Sequence, residues 1–352
     1  MADDQAGPPA DHLTAGDTER DAYLDNARFL LVLLVVVGHA IRPVIDLTLA
    51  GRALYFTIFA FHIPALVFLS GYLTKTSEVT PAVAKNLARR LLVPYVIFEV
   101  GYAYFRSWVL ERDLRITIHR PFFLLWFLVA LAAWRLLLPL FMAARWPFLV
   151  AVGLSLLAGY ATPTTRVLSF NRIFALVPFF IAGHLVRGRW SLRAVKPQHR
   201  IAAVVTLLAG LVAAWLASPN LDKGWLYWTM TFKSLGVQDL AAPLGRLAVI
   251  AVAFVLTAAF LALVPHRKTF FTDLGRYTLY PFLLHGFVVK SATWDGAYVG
   301  LDTWPETGVV VFLAVLLMFL LSAAPVRFIT RWAVEPSWII TPFGRRGRDR
   351  QP

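Results

Sequence analysis

Long apolar runs, broken at intervals by short polar clusters, dominate this chain. They fall near 26–44, 53–73, 91–108, 121–141, 147–161, 170–187, 201–218, 241–264, 277–291 and 309–330. Runs of this length suit helices in a hydrocarbon layer about 30 Å thick, since a helix rises about 1.5 Å per residue. The pattern therefore predicts an all-α, polytopic membrane protein of about ten transmembrane helices. An even number of spans puts both termini on one side. Alternate connections are basic, among them KTSEVTPAVAKNLARR, RGRWSLRAVKPQHR, PHRKTFFTDLGR and the C-terminal GRRGRDRQP. The positive-inside bias then makes the N and C termini cytoplasmic. On the opposite side, ERDLRITIHR runs against the bias. The long aromatic loop ASPNLDKGWLYWTMTFKSLGVQD lies on that side too and is expected to dip into the interface.

Composition strengthens this reading. Of 352 residues, 59% are hydrophobic and 15% charged, against about half and a quarter in a soluble domain. A net charge of +14 invites a nucleic-acid partner, but the basic residues sit in short loops between apolar runs, which excludes that as the main role. There is no cysteine, which rules out disulfides and thiolate metal sites, and no metal is expected. Residues 1–20 are acidic, rich in Pro and Gly and without an apolar core, so they are expected to form a disordered cytoplasmic tail and not a signal peptide. Residues 21–340 make one membrane domain, and 341–352 a basic cytoplasmic tail. The abundance of Arg over Lys is associated with a bacterial source.

The first run, RFLLVLLVVVGHAIRP, carries Arg28 and His39 eleven positions apart. At 100° per residue that is three turns plus about 20°, so both project from one helix face about 16 Å apart along the axis. Asp25 precedes Arg28 by three positions and is placed to pair with it. An ionisable group within the membrane costs several kcal/mol unless paired or hydrated, and so marks a functional site by default. The bland alternatives are interfacial snorkelling for Arg28 and Arg42 and interhelical hydrogen bonding for His39. The second run places His62 and Pro64 mid-span and ends in Ser70-Gly71-Tyr72, a small-residue element suited to close packing. Lys85, Arg89 and Arg90 then form a basic cluster at the cytoplasmic mouth, fitted for an anionic, phosphate-bearing ligand.

Five segments, in order, carry a resemblance: RDAYLDNARFLLVLLVVVGHA, FHIPALVFLSGYL, ARRLLVPY, LLWFLVALAAWRLLLP and LGRYTLYPFLLHGF. They resemble the membrane-bound acyltransferase type 3 family, in particular its stand-alone sugar O-acetylase-like branch. The resemblance covers roughly residues 20–340. Its arginine–ten residues–histidine element is matched by Arg28 and His39, its basic pair by Arg89 and Arg90, its Ser-Gly-Tyr-Leu element by Ser70 to Leu73, its tryptophan by Trp126, and its late Tyr/His element by Tyr280 and His285. It implies an O-acetyltransferase that moves an acyl group, acetyl by default, from cytoplasmic acetyl-CoA to a hydroxyl of a cell-surface glycan, a lipid-linked precursor or a small-molecule acceptor. The expected setting is the bacterial cytoplasmic membrane and cell envelope.

On that reading Arg28, Arg89, Arg90 and Lys85 hold the phosphates of acyl-CoA. The pantetheine arm, on the order of 15–20 Å long, is similar to the Arg28–His39 rise of about 16 Å. His39 is the expected catalytic residue, as general base on the acceptor hydroxyl or as a nucleophile that carries the acyl group. Asp25, His62, Ser70, Glu99, Trp126, Tyr280 and His285 are expected to support or line the cavity, with Glu99 orienting a histidine or pairing with Arg106. Arg135 is read as snorkelling. The rival function is a transporter or flippase for a lipid-linked sugar, disfavoured by the lack of matching Gly/Pro-broken segments in the two halves.

Overall fold

The computed structural model describes residues 21–46, 48–75, 79–161, 167–187, 197–237, 239–301 and 303–338. The expected tails at 1–20 and 341–352 lie outside these. Among the described residues there is helix and turn but no strand. The helices are α1 (Ala22–Ile41), α2 (Leu49–Leu73), α3 (Pro81–Leu87), α4 (Val93–Val109), α5 (Trp126–Ala143), α6 (Pro147–Ala158), α7 (Phe170–Val186), α8 (Pro197–Ala217), α9 (Ala241–Leu263), α10 (Leu279–Trp294), α11 (Trp304–Leu321) and α12 (Ala324–Val334). Seven of the described helical segments are long and apolar enough to cross a membrane. The chain is a multi-pass membrane protein.

Each expected apolar segment falls on a helix, with two revisions. The run 309–330 is broken into α11 and α12 at Ser322–Ala323. Pro325 sits in the first turn of α12, where its missing N–H costs nothing but would interrupt a continuing helix. The run 121–141 becomes helical only at Trp126, because Phe123 takes a left-handed backbone, φ +51°, which a bulky side chain adopts only under tertiary constraint.

Helix α1 is central, packing against α2, α10 and α11. Its start is held by Asn26, which is fully buried. The Asn26 amide donates to the carbonyls of Pro265 and Arg267, and its oxygen accepts from the hydroxyls of Thr269 and Thr272. This pins the turn before α10 against α1, where Gly275 lies so close that an added Cβ would meet the Asp25 carbonyl at 2.2 Å. The most extensive helix pair is α2 with α7, and two glycines make it possible. A Cβ on Gly71 would stand 2.0 Å from the Phe180 carbonyl oxygen, and one on Gly183 would stand 1.9 Å from that of Phe68. The small residue in the Ser70-Gly71 element thus serves backbone-to-backbone packing, as small residues do between membrane helices.

The loop 218–237 packs back onto the helices. Trp228 and Phe232 are buried, and Arg246 of α9, 2% exposed, sits 5.6 Å and 5.5 Å from their ring centroids and donates to the Met230 carbonyl. Its other edge is tied by Lys223 and Arg52, both 2.9 Å from Asp46. Burial pushes the Asp46 carboxyl upward, but the adjacent Lys223 ammonium and Arg52 guanidinium outweigh it and hold the group below its ordinary value.

Candidate active site

The positions Arg28, Val32, Val35 and His39 follow an i, i+4, i+7, i+11 spacing, which lines one face of α1. The structure puts that face on a row of cavities. Arg28 and Val32 line a cavity of about 340 Å³, together with Ser70, Arg135, Phe127 and Phe282. Val35 and His39 line a smaller one of about 60 Å³, together with His62, Trp126, Arg172, Phe127 and Phe282. A third, of about 300 Å³, includes Lys75, Asn86, Arg90 and Arg135. Leu73 and Arg135 are common to the two cavities at the basic end, and Phe127 and Phe282 to the two nearer His39. The row therefore runs from a cationic end to a histidine end, with the two phenylalanines at the constriction.

At the basic end the Arg28 guanidinium meets the Asp25 carboxylate at 2.7 Å, with the Asp25 side chain 4% exposed. The pair holds Arg28 at the cavity wall. Arg89 and Arg90 lie on a π turn, Ala88–Leu92, between α3 and α4, an irregularity frequent at functional sites because it re-aims side chains. Arg90 lines the outermost cavity; Arg89 donates to Asn86 at 3.4 Å, and Lys85 is exposed on α3. Arg135, read from sequence as snorkelling, lines both basic cavities, and its Nε is buried with no hydrogen-bond partner.

At the other end His39 Nδ1 lies 2.9 Å from His285 Nε2, and the two rings are within 13° of coplanar. His285 Nδ1 lies 2.8 Å from the Pro281 carbonyl oxygen. A carbonyl can only accept, so His285 carries its proton on Nδ1 and presents a lone pair at Nε2. His39 must then donate from Nδ1, which leaves the lone pair of its Nε2 as a base. The same logic fixes His62, whose Nδ1 donates to the Ile58 carbonyl at 2.7 Å. The site holds a base whose tautomer is set by a second, fully buried histidine.

The remaining expected residues fall in four places. Ser70 Oγ donates to the Leu66 carbonyl at the cavity wall. Glu99 meets no histidine: it accepts from the Phe122 backbone N–H at 2.8 Å, while Arg106 donates to the Arg115 carbonyl and lies over the Phe122 ring. Glu99 thereby ties down the turn that brings Phe123 to 4.5 Å from the His39 ring centroid. Tyr280 is buried where α10 meets α12, facing Glu335, Arg331 and Arg327. Trp126 starts α5 and faces the small cavity.

Arg172 and Lys290 were not singled out from the sequence. The Arg172 guanidinium stands 4.6 Å from the Trp126 ring centroid, and the Lys290 ammonium 4.5 Å from that of Phe123. Arg172 is third in the apolar run FNRIFALVPFF, where it reads as an end-of-helix cation, and Lys290 stands beyond LGRYTLYPFLLHGF. Only the packing of α5, α7 and α10 around α1 brings them to His39.

Among the described residues no cluster of His, Cys, Asp or Glu could hold a metal ion. No curated protein and no solved structure matches the chain. Residues 21–323, most of the chain, match the family of the acyltransferase domain, type 3, and the chain belongs to that acyltransferase family.

Proposed function

We propose that the protein transfers an acyl group, acetyl by default, from cytoplasmic acyl-CoA to a hydroxyl of an extracellular glycan or related acceptor. The row of cavities along one face of α1 carries this reading. Its basic end offers Arg28, Arg90, Arg135 and Lys75 to phosphates, through charge-assisted hydrogen bonds. Its length matches a pantetheine arm, since Arg28 and His39 are about 16 Å apart along the helix. In this arrangement ten helices cross the bacterial cytoplasmic membrane and both termini are cytoplasmic, so the basic end faces the compartment that holds acyl-CoA.

The chemistry assigned to the residues is proton handling. The acceptor hydroxyl gives its proton to His39 Nε2 while its oxygen forms the new C–O bond. The thioester C–S bond breaks, and the proton then passes from Nε2 to the departing thiolate. The imidazolium that forms in between is stabilised by the Nδ1–H donated to His285 Nε2, a charge-assisted bond once His39 is protonated. His285 is thus a positioning residue and His39 the catalytic one.

Purified full-length protein tests this. Acetyl-CoA should raise its melting temperature, and Arg28→Ala should weaken that effect. His39→Ala should abolish transfer while keeping the stabilisation by acetyl-CoA. A lipid-linked-sugar transporter would give neither stabilisation nor transfer. Near wild-type turnover in His39→Ala overturns the assignment of the base.

A further inference from the structure

The small cavity beside His39 contains a cation that the acyl donor does not explain. Arg172 lines that cavity. Its Nε donates to the Tyr227 carbonyl at 3.4 Å, and its plane lies over Trp126. Among the described residues no carboxylate lies within ion-pair distance of it, and its two terminal amino groups have no hydrogen-bond partner. Trp126 covers one face and Tyr227 holds one edge, so the forked edge is what remains to face the cavity. That edge has the geometry that binds a carboxylate or phosphate in a bidentate way.

Arg172 is half-buried, and a guanidinium that lines an internal cavity without a counter-charge has an electrostatic demand that an anion would meet. Arg28, by contrast, has Asp25 beside it. The phosphates of the acyl donor cannot supply the missing charge, because they are assigned to the basic end, about three helical turns from His39. The compensating anion therefore arrives with the other substrate. His62 and Tyr227 line the same cavity; Tyr227 is fixed by a 3.0 Å hydroxyl contact with Tyr55.

We propose that Arg172 docks an anionic group of the acceptor, so that the preferred acceptor is an acidic sugar bearing a carboxylate or a phosphate, with the reacting hydroxyl turned to His39. This rests on the acyl-transfer reading above and names the substrate class of the same site. Arg172 makes no bond in the transfer; it selects and orients.

The test compares glucuronate, glucose and glucose 6-phosphate with the purified full chain, in wild type, Arg172→Gln and Arg172→Lys. Two readouts are taken: thermal stabilisation by each sugar without acyl-CoA, and the ratio of acetyl-transfer rates between acidic and neutral sugar. Wild type should favour an acidic sugar by roughly 10- to 100-fold, the range of a hydrogen bond to a charged group. Arg172→Gln should bring that ratio toward one, and Arg172→Lys should keep part of it. Preference for glucose 6-phosphate over glucuronate, with the same dependence on Arg172, assigns the anion as phosphate; the reverse assigns it as carboxylate. A wild-type ratio near one overturns the proposal, as does an Arg172→Gln protein that loses both rates but keeps the ratio. The two readings fail separately. Stabilisation by glucuronate that needs Arg172, with no transfer to any sugar, keeps the anion site and overturns acyl transfer. Transfer to glucose with no effect of charge keeps acyl transfer and overturns the anion site.

Discussion

Replacing His285 with alanine isolates the step that turns the half-buried His39 ring into a base. The substitution removes the acceptor 2.9 Å from His39 Nδ1 and leaves the Pro281 carbonyl inside a helix, where α10 already uses it. The neutral hydrogen bond contributes about 1 kcal/mol. The same contact to an imidazolium, as it exists while the proton is in transit, contributes about 1.5–3 kcal/mol. Only the difference, about 0.5–2 kcal/mol, is specific to the transition state, so at 1.36 kcal/mol per decade of rate losing the contact lowers kcat by roughly 2- to 30-fold. Removing His39 itself should cost more, about 10²- to 10⁴-fold, the usual worth of a general base. The KM for acetyl-CoA should hardly move, because Arg28 and Arg90 are at the far end of the cavity row. The chain has no cysteine, so a thiol reagent reads released coenzyme A without protein background, with the best acceptor of a neutral and acidic sugar panel as co-substrate. His285→Gln, whose side-chain oxygen can accept the same proton, should recover part of the rate. If His285→Ala raises KM and leaves kcat alone, the dyad has no part in proton transfer.

Three further outcomes follow from the contacts above. Asp25→Asn removes the charge that positions Arg28 and should raise the KM for acetyl-CoA roughly 3- to 10-fold with kcat retained, in the same thiol assay. Gly71→Ala and Gly183→Ala each force α2 and α7 apart, because a Cβ cannot sit 2 Å from a carbonyl oxygen; each should cost about 2–3 kcal/mol, seen as a loss of melting temperature in detergent, and an unchanged melting temperature would refute the close crossing. The Asp46 carboxyl is held below its ordinary value by Lys223 and Arg52, so its stabilisation is present above the unfolded-state value and is lost as pH falls through the folded one. Asp46 is half exposed, so that stabilisation is about 0.5 kcal/mol or less. The melting temperature of Asp46→Asn should lie slightly below wild type at pH 7 and approach it as the pH falls below the ordinary carboxylate range, and a gap that widens on acidification would contradict the ion pairs.

What the sequence revealed of this site, and what it hid, follows one physical division. Residues on a single helix were readable, because 100° per residue fixes their relative direction whatever surrounds them. Arg28 and His39 were placed on one face by arithmetic, and that face is the one that lines the cavities. The pairing of Asp25 with Arg28 was readable for the same reason. The small-residue element at Gly71 told of a close approach but not of its partner, since Gly183 lies over a hundred positions on and offers the same signal to any helix. Residues whose meaning depends on two helices meeting were not legible. Arg135 lies well inside one apolar run and Arg172 near the start of another, and a linear reading cannot distinguish a cation snorkelling toward water from one lining a cavity between helices. Glu99 is a further case: the sequence offered it a histidine to orient or Arg106 to pair with, and its hydrogen bond goes to the Phe122 backbone N–H in the turn that seats Phe123 against His39. The cost of a buried charge told that each of these groups needs a partner; only the packing told which partner, and for Arg172 the packing leaves that place to the substrate.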